Sequence, residues 1–409
     1  MMQECTWNGN VTPAPGMIDT SEPILHADCS QGEALLLAAK GGFVSTVKML
    51  LEWPQHAPRA NCSNGDALVL AAEKGHTEVM RMLLGWEEHA PRADCQDSRA
   101  LVEAAKHGHA EAVLVLLLDP QHAPYADCHN GRALRKAAFK GHENVVRILL
   151  GWGDKAQAPH ADCQDSEALV LASQAGHADL VHLLLSWHEH APLADCRSGE
   201  ALISAAKHGH IDVVHLLLSW EHNAPRADCR NGEALVLAAR GGYHTVAQLL
   251  LEWHTHAPRA DCQDGEALIE AATEGHVEVV RLLLSSYQYP VRADCRYGAA
   301  LMLAAKHGHV DVVEVLLGWP VHAARAYCRA SQALVLAAKF GHEAVVAALL
   351  SCSSFSADPQ CQNGEAFRVA LENENRGVLR ILIESWSQKE QQDWWMRIVT
   401  AIANDSTAG

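Results

Sequence analysis

The chain has few aromatic residues. They make up 5% of its 409 positions, with Trp (11) outnumbering Tyr (6) and Phe (5). A core must therefore come mainly from Ala, Leu and Val. Positive charge is scarce as well: 32 Lys and Arg stand against 49 Asp and Glu, a formal net charge of −17. That balance argues against a general nucleic-acid binder and against a protein drawn to anionic membranes, since both rest on cationic surface. No apolar run approaches the roughly 18–20 residues of a membrane span. Lys and Arg are absent from the first 39 residues, so neither a secretory signal nor an Arg-rich transit peptide is expected there. Chemical signatures are also missing. There is no Gly-rich phosphate loop, no H-E-x-x-H and no paired C-x2-C of a closed zinc site. His, Ser and Asp are plentiful, but they fall into repeating columns, whereas a catalytic site is one constellation. The expectation is a non-enzyme with no catalytic residues, no cofactor and no metal site.

What is present is a period. Cys29, Cys62, Cys95 and Cys128 are 33 residues apart, Cys163 follows after 35, and Cys196, Cys229, Cys262, Cys295, Cys328 and Cys361 resume the spacing of 33. Of the 13 cysteines, Cys5 and Cys352 lie outside the column. Eleven copies of one unit fill residues 27–386, and a period of this size signals a solenoid. In the copy beginning at Cys295, Leu301, Ala304 and Ala305 recur at i, i+3 and i+4, which predicts a helix from Gly298 or Ala299 to His307. Gly308 stops it. A second helix follows from His309 to Leu317, carrying Val312, Val313, Leu316 and Leu317 on one face. Asn, Asp or Ser precedes the first helix in eight copies (Asn64, Asp97, Asn130, Asp165, Ser198, Asn231, Asp264, Asn363), positions suited to N-caps. Acids open that helix (Glu33, Asp66, Glu167, Glu200, Glu233, Glu266, Glu365) and cations close it (Lys40, Lys106, Lys207, Arg240, Lys306, Lys339), as the helix macrodipole favours. Paired alanines such as Ala71–Ala72 allow close helix approach, and stacking on neighbours must complete the core.

The run A-A-K-H-G-H-V-D-V-V-E-V-L-L at 304–317 resembles the ankyrin repeat. Two departures stand out: E-A-L-V or a near variant replaces the usual T-P-L-H, and W-x-x-H-A-P-R-A-D-C replaces the finger segment. The expected fold is all-α, an ankyrin-like solenoid of about eleven stacked 33-residue helix–turn–helix repeats. Residues 1–26, with Pro13, Pro15 and Pro23, are expected to form a flexible leader. A degenerate last copy ends at Trp386, and residues 387–409 hold an amphipathic capping helix and a tail, with Trp394, Trp395, Ile398, Val399 and Ile402 on one face.

Each repeated column has a structural reading. The cysteines recur at the roughly 8–10 Å of packed helices, beyond the ~7 Å of a disulfide, so they are expected as buried free thiols. An unbridged column favours a reducing compartment, cytoplasmic or nuclear. Histidines after the inter-helix glycine (His76, His109, His142, His177, His210, His276, His309, His342) and in the connections (His56, His89, His122, His190, His256, His322) are expected to hold turns. A third, smaller set lies exposed beside the first (His107, His208, His307). Trp53, Trp86, Trp152, Trp187, Trp220, Trp253 and Trp319 are expected to bridge copies. Arg59, Arg92, Arg226, Arg259, Arg292 and Arg325, mostly two residues before an Asp, are expected to pair with acids along the stack.

The fourth copy departs from this regularity. Arg132, Arg135, Lys136, Phe139 and Lys140 share one helical face, and the Arg135 column is otherwise apolar except at Arg368. Arg99 of the third copy adds to the same side, and the chain's two-residue insertion follows around Gly153–Ala158. The resemblance implies that first helices line a concave binding surface. A partner-binding strip of Arg99, Arg132, Arg135, Lys136, Phe139 and Lys140 is therefore expected to take an acidic or phosphorylated protein. The resulting expectation is a monomeric protein–protein interaction scaffold or adaptor; the alternative is a permanent structural subunit of a larger assembly.

Overall fold

The computed structural model describes residues 32–53, 57–152, 158–286, 289–320, 331–351, 357 and 361–385. The predicted leader and C-terminal helix lie outside the described residues, as do Cys29, Cys328, Cys352, His56, His322, Arg325 and most of the insertion. Among the described residues there are twenty-two helices and no strand. Each copy contributes a first helix, such as Cys128–Lys140 or Cys262–Glu274, and a second, usually shorter one, such as Glu143–Leu150 or Val277–Ser285. Successive first helices pack in one row and successive second helices in another.

The core is built as the composition requires. In the second copy Ala67, Leu68, Ala71 and Ala72 are fully buried with Val79, Met80 and Leu83 of the following helix. The same positions are filled in the eighth copy by Ala267, Leu268, Ala271, Ala272, Val280 and Leu283. Alanines bring the helix axes together and the Leu and Val side chains fill the remaining space. Because each copy buries its apolar face against its neighbours, the core runs continuously along the stack.

The first helices do not begin as expected. Asn64, Asp97, Asn130, Asp165, Ser198, Asn231 and Asp264 are not N-caps: each is the middle residue of a left-handed turn, with φ between 53° and 58°. In the second copy Ser63, Asn64 and Gly65 have φ of 49°, 57° and 87° in succession. The amide of the last turn residue donates back to the carbonyl four residues earlier, as Ser98 does to Asp94 at 3.0 Å. Asn, Asp and Gly are the residues that tolerate this conformation, which explains the column without capping. The turn's free carbonyls accept from the next copy. Gln96 donates to Asn64 O at 3.2 Å, His129 Nε2 to Asp97 O at 3.2 Å and Arg230 to Arg197 O at 2.6 Å. The connections between copies are turns, so no finger hairpin forms among the described residues.

Candidate functional site

Most of the repeated columns are consumed by holding the stack. Gly75 closes its helix in the left-handed region (φ 74°), and a Cβ there would lie 2.6 Å from Nδ1 of His109. The glycine thus makes room for the next copy's imidazole, whose Nε2 donates to the end-of-helix carbonyl of Glu73 at 3.0 Å. His76, His142, His177, His210, His276, His309 and His342 repeat the contact, each satisfying a carbonyl that a helix C-terminus leaves free. Burial depresses the pKa of His142, because charging the ring there loses solvation. His107, His208 and His307 lie beside this column, with ring centroids 6.2 Å from His109, His210 and His309.

Cys95, Cys128, Cys163, Cys229 and Cys295 are half-buried free thiols, and Cys196 and Cys262 are buried ones. Most of the column sits over the residue that ends the preceding copy's left-handed turn, usually a glycine, as Cys95 does over Gly65. Where that residue is Ser98 or Ser166, its hydroxyl is hydrogen-bonded to Cys128 or Cys196. Burial pushes the Cys95, Cys163, Cys196, Cys229, Cys262 and Cys295 thiols up to about 11. Trp220 and Trp253 do bridge copies, each meeting a histidine of the preceding second helix edge-on (His182 at 5.5 Å and His215 at 5.8 Å). The Arg–Asp pairs, however, do not run along the stack. Arg92–Asp94, Arg226–Asp228, Arg259–Asp261 and Arg292–Asp294 each close within one connection through two nitrogen–oxygen contacts of 2.7–2.9 Å. A two-residue offset lets the guanidinium fork fold back onto its own carboxylate.

The fourth copy's basic residues divide into two groups. Arg132, Lys136, Phe139 and Lys140 are exposed on the first helix, and the Lys140 ammonium lies 5.5 Å from the Phe139 ring centroid. At about 1.5 Å of rise per residue the three cations span about 12 Å of one helix face. Among the described residues none of the three forms an ion pair. Arg135 is different. Its side chain is only 19% exposed, and it pairs with Glu167 of the fifth copy at 2.7 Å. It also donates to His129 O at 3.4 Å, while its buried Nε has no partner. Arg99 is exposed but held, by Gln96 at 2.9 Å and more loosely by Asp66 at 3.7 Å. The structure therefore brings four of the six residues together as an open strip and turns Arg135 inward.

A second grouping was not foreseen from spacing. His160, Asp162 and His190 are all exposed, and one potential ligand atom from each lies within 4.8 Å of the other two. The two imidazoles stack with centroids 3.9 Å apart at 21°. His160 and Asp162, together with Asp127, also line an open depression of about 620 Å³. The visible signal was His160 itself, which stands where six other copies carry Arg.

The architecture is that of a solenoid of stacked helix pairs, a class that works by presenting a long surface rather than an enclosed site. A family model described as ankyrin repeats (3 copies) matches residues 16–97, 155–228, 221–294 and 301–393. The chain belongs to the ankyrin-repeat family. Residues 98–154, which hold the basic strip, fall between the first two matched stretches and fold into the same helix pairs. No curated protein matches the chain. Ankyrin repeats generally mediate protein–protein interaction, and the family is typically non-enzymatic. No helix among the described residues is long and apolar enough to cross a membrane.

Proposed function

We propose that this chain is a non-catalytic scaffold or adaptor that holds a partner protein along its row of first helices. In this reading the fourth copy's strip takes an acidic or phosphorylated segment of that partner. The observation that carries the reading is the cationic face of Arg132, Lys136 and Lys140, which form no ion pair among the described residues, in a chain of net charge −17. Equivalent positions at the helix start are acidic in most other copies, as at Asp66, Glu167, Glu200, Glu233 and Glu266. A local reversal of sign steers a negatively charged segment to one place and repels it elsewhere. Phe139 adds an exposed ring, the kind of rigid anchor that dominates interface hot spots. Arg135 supports the strip from below by tying the fourth copy to Glu167 of the fifth. The free thiols fit a reducing compartment, and the cytoplasm is the simplest one.

The test is a pull-down with mass spectrometry, comparing wild type with Arg132→Glu/Lys136→Glu/Lys140→Glu and leaving Arg135 intact. The variant is expected to remain folded and to lose a partner whose binding to the wild type weakens as salt rises. If both forms retain the same partners, the strip is a solvated face and the reading fails.

A further inference from the structure

In four connections a bidentate guanidinium occupies the aspartate two residues after it, at Asp94, Asp228, Asp261 and Asp294. Both oxygens of each of those carboxylates are engaged by the guanidinium. At the joint between the fourth and fifth copies the arginine position holds His160, and Asp162 is released. Its nearest cationic partner is now an imidazole, with Nδ1 of His160 3.9 Å from the carboxylate. The next connection supplies His190, whose position is also histidine at His89, His122 and His256. Replacement of one arginine by histidine therefore converts a closed ion pair into two imidazoles and one free carboxylate facing the same point. The two connections are already in register, because the Asp162 amide donates to the His190 carbonyl at 3.1 Å.

We propose that His160, Asp162 and His190 form a site for a divalent transition-metal ion of the zinc class. Two imidazole nitrogens and a carboxylate oxygen suit such ions better than they suit Ca²⁺ or Mg²⁺, which prefer all-oxygen shells. Bonds of ~2.1 Å in tetrahedral geometry place ligand atoms ~3.4 Å apart. The present separations, within 4.8 Å, close to that value by rotation of exposed side chains, with the backbone left in place. Three protein ligands leave a fourth position open to water or to a donor from a bound partner. The ion would clip successive connections together beside the one joint whose repeat length differs, 35 residues between Cys128 and Cys163 instead of 33.

The full chain, stripped of metal by chelation, is titrated with ZnCl₂ by calorimetry and with Co²⁺ by visible absorption. One equivalent is expected to bind more tightly than the rest. His160→Arg rebuilds the ion pair of the other copies and should weaken that equivalent by more than about tenfold, as should Asp162→Asn. His256→Ala, which faces Asp228 across the same kind of joint but where Arg226 holds that carboxylate, should leave it unchanged. Circular dichroism checks the fold, and His190→Ala replaces His160→Arg if that variant does not fold. Identical titrations of wild type and His160→Arg overturn the site. An equal loss in His256→Ala overturns it too, because zinc would then be collected by scattered surface imidazoles.

Discussion

Gly232→Ala isolates a contact that recurs between copies. Gly232 ends a left-handed turn with φ 78°. A Cβ there would lie 2.7 Å from Sγ of Cys262, 3.3 Å from its Cβ and 3.3 Å from Cβ of Pro258. The left-handed conformation costs an alanine about 1–2 kcal/mol, and crowding a packed neighbour adds about 1–3 kcal/mol. Against this, alanine lowers the entropy of the unfolded chain, which returns up to about 1 kcal/mol. The net expectation is a loss of about 2–4 kcal/mol, a large part of the stability of an ordinary domain. Gly232→Ser should cost less although serine is larger, because Ser98 and Ser166 occupy the same position with φ of 61° and 66°. There the hydroxyl is hydrogen-bonded to the facing thiol. Urea unfolding followed by circular dichroism measures the total. Amide exchange in the seventh and eighth copies locates it, since solenoids open in parts. A cost below about 0.5 kcal/mol for alanine, the size of an ordinary surface change, would refute the reasoning. So would a serine variant less stable than the alanine one.

Two further outcomes follow from other columns. The buried and half-buried thiols of Cys95, Cys163, Cys196, Cys229, Cys262 and Cys295 hold their protons up to about pH 11 in the folded chain, against ~8.5 when unfolded. Folding therefore favours the protonated form. The stabilisation is complete below about pH 8.5 and is lost as pH rises through about 11, with six or more sites acting together. Thermal unfolding should be flat near neutrality and should fall steeply between about pH 9 and 11. A Tm unchanged to pH 11 would contradict the burial argument. Arg135→Val restores the residue type of the other copies and removes a half-buried charge whose Nε has no partner. It should be neutral or stabilising by up to about 1 kcal/mol, whereas Glu167→Ala strands the guanidinium and should cost about 2 kcal/mol or more. Urea titrations that reverse this order would show that the ion pair is a net stabiliser.

The linear pattern by itself determined the architecture. A cysteine every 33 residues defined the unit, helical spacing of Leu, Val and paired Ala defined its two helices, and Gly308 and its equivalents defined the turn. All of these are local or periodic signals, and a stack of identical units has few other ways to bury its apolar faces. Tertiary structure decided what each column touches. Asn64 and Asp97 suit a helix N-cap and a left-handed turn equally well, because the same short polar side chains favour both. The turn is taken where the residue after them, Gly65 or Ser98, packs under the next copy's cysteine. The offset of Arg92 and Asp94 showed that they could pair, but not that they close on each other instead of across copies. Arg135 read as part of a cationic face until Glu167, thirty-two residues on, was seen to turn it inward. His160 and His190 sit thirty residues apart in different connections and meet at 3.9 Å. A period states which residues recur. Only the superposition of one copy on the next brings side chains from different copies to a common point, and interactions of that kind fall off within a few ångströms.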